Sequence, residues 1–485
     1  MLKHSSIQME LNFDGTGRNL FRERIRAGKF QILNEIRVPS ADTKTENAVS
    51  RFADFQYLTE TSGSGQIPCA ALAVVGEQNS DEMIDPVQFL SALCGDNADA
   101  HLLYLSGRGR SPAQILGAVQ HAKSLGIKNF CAVSGATPKN AGADDVARIP
   151  FLESVNILKE IAALGQDDIF QGATVNPFKY TVGDTALQYF KMYKKVHFGA
   201  SFLVSQFGWD MMKLQELCWQ TWRRDLNVPL FARMLFLTPD RAADICAGKY
   251  PGVGISPDLE TALRHELRYS RQQFEAAQIR RIQLHAAGAK LLGFHGIQLS
   301  GVDTPELFQT LLKCIGEALF EFKNFEDWRS AYLEYYSRME LAPYPYRFYL
   351  FDDLLSQAQV PEEFQLHKSD MPAPAQSEIL RFKLAQMLFP KAGELPPEER
   401  LLTKKLLLGC RLCSRCRVPE TLFICPELCP KGMVNGPCGC SSPDGSCEFS
   451  PEECVFMKRL RIANMIRDFS MLETDCIEHL PERPE

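Results

Sequence analysis

Residues 101–135 read HLLYLSGRGRSPAQILGAVQHAKSLGIKNFCAVSG. Two apolar runs, HLLYLS (101–106) and NFCAVSG (129–135), flank a stretch with the marks of a helix. Ser111 stands where a side-chain oxygen caps the first free amides, and Pro112 fills the first helical position, where no amide hydrogen is needed. Ile115, Val119 and Ala122 then share one face, and Gly126 supplies the stop. A strand, a helix and a strand in that order make a parallel pair with a right-handed crossover.

Working outward, the same alternation runs from residue 30 to 302. Further apolar runs fall at FQILNEIRV (30–38), FQYLTE (55–60), IFQGATVN (169–176), SFLVSQFG (201–208), PLFARMLFL (229–237) and FHGIQLS (294–300). Helical stretches follow Asp184 (Leu187, Phe190 and Tyr193 inward) and Trp209 (Leu214, Leu217 and Thr221 inward). Eight strands joined by helices predict an α/β fold, a (β/α)8 TIM barrel, with an open doubly wound sheet as the competitor. In a barrel, chemistry gathers at the carboxyl ends of the strands. That rule selects Glu35, Thr59, Ser134 to Thr137, Asn176, Gln206 and His295. Glu35, a carboxylate inside an apolar strand, is expected to have a raised pKa and to serve as a proton donor; the competing reading is a buried ion pair with Arg233.

Composition bounds the rest. The 485 residues are 45% hydrophobic and carry a net charge of −6, which suits two or three domains and argues against a nucleic-acid partner. Basic spots at Arg108/Arg110 and Lys191/Lys194/Lys195 are candidates for an anionic ligand, or else solvated helix faces. No apolar run approaches a membrane span, and MLKHSSIQMELNFDG has no apolar signal core, so a cytoplasmic chain with reduced thiols is expected.

Nine of the sixteen cysteines fall between Cys410 and Cys454. Cys410, Cys413 and Cys416 are spaced so that one loop can aim three sulfurs at a single iron-sulfur cluster. Cys425 and Cys429 each precede a proline. Cys438, Cys440, Cys447 and Cys454 suffice for a second four-ligand site, holding a cluster or a structural zinc; disulfides are the competing reading. The expected organisation is a barrel at 1–310, a helical extension and proline-punctuated linker at 311–404, and a small cysteine-rich metal-binding domain at 405–485.

With Glu35, SQFGWD and the cysteine run taken together, the sequence resembles the methylenetetrahydrofolate reductase family. Those are flavin-bearing TIM barrels that interconvert 5,10-methylenetetrahydrofolate and 5-methyltetrahydrofolate. ILNEIRVP resembles the family's first strand, so Glu35 would be the general acid. KKVHFGASFLVSQFGWD resembles a segment that would make Lys195 a flavin contact and Gln206 a pterin ligand, with Phe207 beside it. Thr59 and Gln188 would complete the FAD contacts. Where the family reads Arg-Gly-Asp, this chain has Ser134, Gly135 and Ala136. CPKGMVNGPCG, DGSCEF and EECVF resemble the C-terminal domain of the anaerobic, multisubunit reductases. Its ligands would map to Cys410, Cys413, Cys416, Cys425, Cys429, Cys438, Cys447 and Cys454, with Cys440 set aside because the family has glycine there.

The resemblance implies an oxidoreductase that passes electrons through 4Fe-4S clusters, with zinc an alternative at one site. It implies a tetrahydrofolate substrate, a redox partner protein and an oligomer or complex. Two alternatives stand beside it. One is a flavin-free, tetrahydrofolate-dependent methyl-transfer or demethylation protein with a corrinoid partner; the other is a noncatalytic electron-transfer or assembly subunit.

Overall fold

The computed structural model describes residues 19–76, 83–138, 141–337, 339–362, 365–367, 370–390, 398–411, 413 and 415–480. Eight parallel strands close on themselves: β1 (Gln31–Arg37), β2 (Cys69–Val75), β3 (Leu102–Ser106), β4 (Asn129–Val133), β5 (Phe170–Val175), β6 (Leu203–Ser205), β7 (Leu230–Leu235) and β8 (Gly296–Ser300). β1 pairs with β8 from Gln31↔Gly296 to Asn34↔Leu299, which seals the ring. The chain is therefore a TIM barrel and not an open sheet.

Seven strands lie where the apolar runs place them, and one does not. FQYLTE (55–60) belongs to the helix Thr45–Thr61, and the second strand is the alanine-rich CAALAVV (69–75). Phe52 and Phe55 stand three residues apart with ring centroids at 5.8 Å, a helical neighbour relationship that the aromatic composition disguised. His295 is also displaced: it precedes β8, and its carbonyl accepts from the Gln31 amide at the opening of β1. It thus stands at the amino end of the strands.

Alternation along each strand sends one set of side chains inward. Leu33, Ala71, Ala73, Leu102, Phe202 and Phe231 pack there with Phe21 and Ile25 of the short helix Leu20–Arg26. Phe21 stacks on Phe231 at 5.8 Å and meets Phe170 and Phe202 at 6.1 and 6.2 Å. The Asn19 side chain fastens this plug to Asn129, the first residue of β4. The amino end of the barrel is therefore filled by aromatic rings, and the polar residues on the inner face lie toward the other end.

The helix after β8, Pro305–Glu321, packs on Arg271–Leu291 and completes the outer ring beyond residue 310. Trp328, in the helix Phe325–Tyr335, then donates its indole N–H to the Leu284 carbonyl at 2.7 Å. The cysteine module has little regular structure: two short 3-10 turns (Pro419–Thr421 and Pro426–Leu428), a two-stranded ribbon (Ser446–Cys447 and Ser450–Glu453) and the helices Val455–Ile466 and Ser470–Glu473. Its Phe456, Leu460 and Ala463 share one apolar cluster with barrel residues Val146, Phe151 and Leu187. No described helix is long and apolar enough to cross a membrane.

Phe21 is fully buried, and truncating such a ring costs about 3–5 kcal/mol in lost burial and cavity formation. Phe21→Ala is expected to lower the urea midpoint of the barrel transition without changing its slope, read by tyrosine and tryptophan fluorescence.

Candidate functional site

Glu35 and Arg233 meet inside the barrel toward its carboxyl end. The Arg233 Nη2 lies 2.5 Å and its Nε 2.9 Å from the Glu35 Oε2. Ser300 Oγ (2.7 Å) and Gln298 Nε2 (2.9 Å) donate to the same oxygen, so Oε1 takes none of these four bonds. Tyr104 donates to Gln298 at 2.7 Å, and Arg233 reaches Gln206 Oε1 at 3.3 Å. Burial alone would raise the Glu35 pKa, but the Arg233 charge and the Ser300 and Gln298 bonds outweigh it and hold the carboxyl below its ordinary value. The expected raised pKa is thereby corrected: the competing reading, a buried ion pair with Arg233, describes this residue. A carboxylate so held keeps its negative charge at neutral pH.

Gln206 follows β6 and accepts the Phe207 amide, while the Arg233 guanidinium lies 5.1 Å from the centre of the Phe207 ring. Phe207 in turn lines a cavity of about 340 Å³ formed by the loops after β5, β6 and β7, with Phe178, Tyr180, Trp209 and Tyr250. The fourth wall of this cavity is the cysteine module, through Cys440, Ser441, Pro443 and Glu448.

Buried side chains of the barrel hold that wall in place. Asn176, at the end of β5, donates to the Gly439 carbonyl at 2.8 Å and to Gly252 at 3.1 Å. Lys179 donates to the Ser441 carbonyl at 2.6 Å. Lys191 binds Glu153 (3.3 Å) and the carbonyls of Gly436 (2.9 Å) and Pro437 (3.0 Å). Glu153 Oε1 accepts the amides of Val434 and Asn435 at 2.6 and 2.8 Å. Lys194 donates to the Met471 carbonyl. The lysine run is thus neither a solvated face nor an anion site, because all three cations are buried and two of them reach the module.

The residues assigned to FAD by resemblance do not come together as a cradle. Thr59 lies in the helix Thr45–Thr61 and bonds its own Gln56 carbonyl, away from the strand ends. Lys195 donates to the Thr174 carbonyl, and burial, then the nearby Lys191 charge, lowers its pKa to about 7. Gln188 is packed against Gly439: a Cβ built there would sit 3.6 Å from Gln188 Oε1 and 3.5 Å from the Asn176 Cβ. The loop 436–441 therefore packs directly on Asn176 and Gln188 beside β5.

The cysteines sort into two neighbourhoods. Cys410, Cys413, Cys416 and Cys425 bear on one another electrostatically; Cys416 and Cys425 pack with Phe389 and Leu408, and Lys404 donates to Cys416 at 3.0 Å. Cys429, Cys438, Cys447 and Cys454 form the second set. Burial raises Cys425 and Cys429 to about 11, so these thiols keep their protons unless a metal displaces them. Each set offers four sulfurs, the donor number of a 4Fe-4S cluster or a tetrahedral zinc. Sequence reasoning set Cys440 aside and passed over Lys431 and Glu448. The close C-x-C spacing of Cys438 and Cys440 was the available signal.

Residues 396–478 match the protein family described as Methylene-tetrahydrofolate reductase C terminal. The cysteine module is similar to that domain. One solved structure, described as "Uncharacterized protein from Clostridium thermocellum binds two copies of 5-methyl-5,6,7,8-tetrahydrofolic acid", aligns at a TM-score of 0.43 and 12% identity. The alignment covers 62% of this chain and 100% of that one. No curated protein matches the chain.

Two outcomes are expected. Because the Glu35 carboxyl is held below its ordinary value of 4.5, the stability it contributes is present above that value and is lost as pH falls through the lower folded value. Glu35→Gln leaves Arg233 buried without its counter-charge and should cost roughly 3 kcal/mol at pH 7, with the gap to wild type narrowing on acidification in paired urea melts. At Gly252 (φ +74), an added Cβ would overlap the Gly439 carbonyl oxygen. Gly252→Ala should therefore loosen the module, seen as faster hydrogen exchange across 434–442 with the barrel strands unchanged.

Proposed function

We propose that this protein is a tetrahydrofolate-linked one-carbon protein whose barrel-mouth cavity binds the folate and whose chemistry proceeds without flavin. The observation that carries this reading is the loop 436–441 packed on Asn176 and Gln188, so that Gln188, which the resemblance makes a flavin contact, faces the module instead. The family match of the module supports the link to folate-dependent one-carbon chemistry. The cavity's aromatic lining suits a flat pteridine, since rings stack on rings while a few polar groups fix orientation.

In this reading Glu35 and Arg233 act as fixed charges. Arg233 links the carboxylate to Gln206 and lies against the Phe207 ring, so the pair fixes from behind the aromatic wall on which the pterin would stack. Preorganisation by Gln298, Ser300 and Tyr104 keeps that pair from swinging. The reaction class is methyl transfer: the methyl group leaves N5 of 5-methyltetrahydrofolate for a reduced corrinoid acceptor, with N5 taking a proton to give tetrahydrofolate. The two four-thiol sets would hold metal through Cys410, Cys413, Cys416 and Cys425, and through Cys429, Cys438, Cys447 and Cys454. Such centres supply structure when zinc and electron transfer when iron-sulfur.

The reductase reading predicts a different protein. It requires bound FAD and folate-dependent oxidation of reduced flavin. The test is one anaerobic preparation, examined by visible spectrum and then titrated with 5-methyltetrahydrofolate in a calorimeter. Saturable folate binding with no flavin bands is expected, weakened about tenfold or more in Tyr250→Ala, which removes a ring from the cavity wall. Stoichiometric flavin, or flavin oxidation on adding 5,10-methylenetetrahydrofolate, would overturn the flavin-free proposal.

A further inference from the structure

The module wall of the cavity holds a side-chain cluster that neither four-thiol set uses in full. Cys438 Sγ, Cys440 Sγ and a Glu448 carboxylate oxygen all lie within 4.8 Å of one another. Beneath them Lys431 is ion-paired with Glu448 and lies 3.6 Å from Cys440 Sγ. The Lys431 and Glu448 side chains are only 4% and 6% exposed, so this arrangement is built into the module. Cys440 and Glu448 also line the cavity at the barrel mouth.

We propose that Cys438, Cys440 and Glu448 bind one thiophilic divalent cation of the zinc class, with the fourth coordination position open to the cavity. The distances allow it: sulfurs about 2.3 Å and an oxygen about 2.1 Å from a tetrahedral zinc lie just under 4 Å apart, a contraction that rotamer adjustment supplies. The charges suit it. Once a metal displaces the thiol protons, two thiolates and a carboxylate bring three negative charges into a buried place, and Lys431 returns one positive charge. A divalent cation neutralises the remaining two. Thiolate donors select zinc over the harder magnesium and calcium ions. Three protein ligands with a vacancy toward a cavity is the arrangement of a reactive zinc, whose open position takes water or a soft anion such as a substrate thiolate.

The site differs from the eight cysteines that the resemblance maps. Cys440 and Glu448 lie outside that set, and Cys438 is the thiol the two share, so its thiolate would bridge the two centres when both are filled. The inference stands whether or not the cavity binds folate, because the test reads metal alone.

Full-length protein purified anaerobically is assayed for zinc and iron per chain as wild type, Cys440→Ala and Glu448→Gln. Metal-depleted samples are then titrated with cobalt(II) and followed by thiolate-to-cobalt absorption. Wild type is expected to hold about one more metal equivalent than Cys440→Ala, with Glu448→Gln binding that equivalent at least tenfold more weakly. Both variants should keep the remaining metal and the wild-type far-ultraviolet spectrum, because they retain all eight mapped cysteines. Should Cys440→Ala lose its fold, the near-isosteric Glu448→Gln decides alone. Equal metal content and identical cobalt titrations in wild type and variant would overturn the site, as would a Cys438–Cys440 disulfide in the anaerobic protein.

Discussion

The Glu153–Lys191 pair governs how the two parts of this chain meet. Both side chains are buried, and their charges satisfy each other only in part. The remaining capacity of Glu153 goes to the amides of Val434 and Asn435, and that of Lys191 to the carbonyls of Gly436 and Pro437. A buried ion pair is weak evidence for stability when isolated, because desolvation offsets attraction. Here the pair acts as a ruler: its leftover donors and acceptors match four consecutive residues of module backbone. Any other placement of that loop would bury them unpaired, which fixes Gly439 against Asn176 and Cys440 at the cavity wall.

A second charged pair, Glu35 with Arg233, has a different task. It faces the barrel interior, crowned by Gln298 and Ser300 from β8, and reaches the cavity wall only through the Phe207 ring. The closed register between β1 and β8 makes this possible, because it sets Leu33 opposite Gln298 and brings Glu35 beside the end of β8. The same strand that looks apolar in sequence thus delivers its one carboxylate into a cage of donors. Barrel and module each contribute a polar surface to one aromatic-lined space.

The barrel was legible because parallel strands buried on both faces read as apolar runs, and seven of them do. β2 escaped because Cys69–Val75 is rich in alanine and lacks the aromatic weight that drew attention to residues 55–60. The cysteine run carried its own signal, and the match of residues 396–478 to a family model bears out the module that it marks. What the sequence withheld was the docking. Helical periodicity placed Lys191, Lys194 and Lys195 on a helix, yet nothing local says that residues near 436 and 471 will cover them. For Glu35, strand position predicted burial, while the pKa depended on a partner 198 residues away. Cys440 was judged by what a family has at that place, and its meaning came from Lys431 and Glu448, which only the folded loop brings alongside.

The covering of those lysines also orders events during synthesis. The barrel helix that carries them is complete long before the carbonyls that receive them exist, since Lys191 and Pro437 are 246 residues apart and Lys194 and Met471 are 277. Domains fold as they emerge from the ribosome, amino-terminal first. The nascent barrel must therefore carry a cationic, partly apolar scar around Val146, Phe151 and Leu187 until the last tenth of the chain arrives. Until then that surface stands open to water, and the module's arrival is the step that closes it.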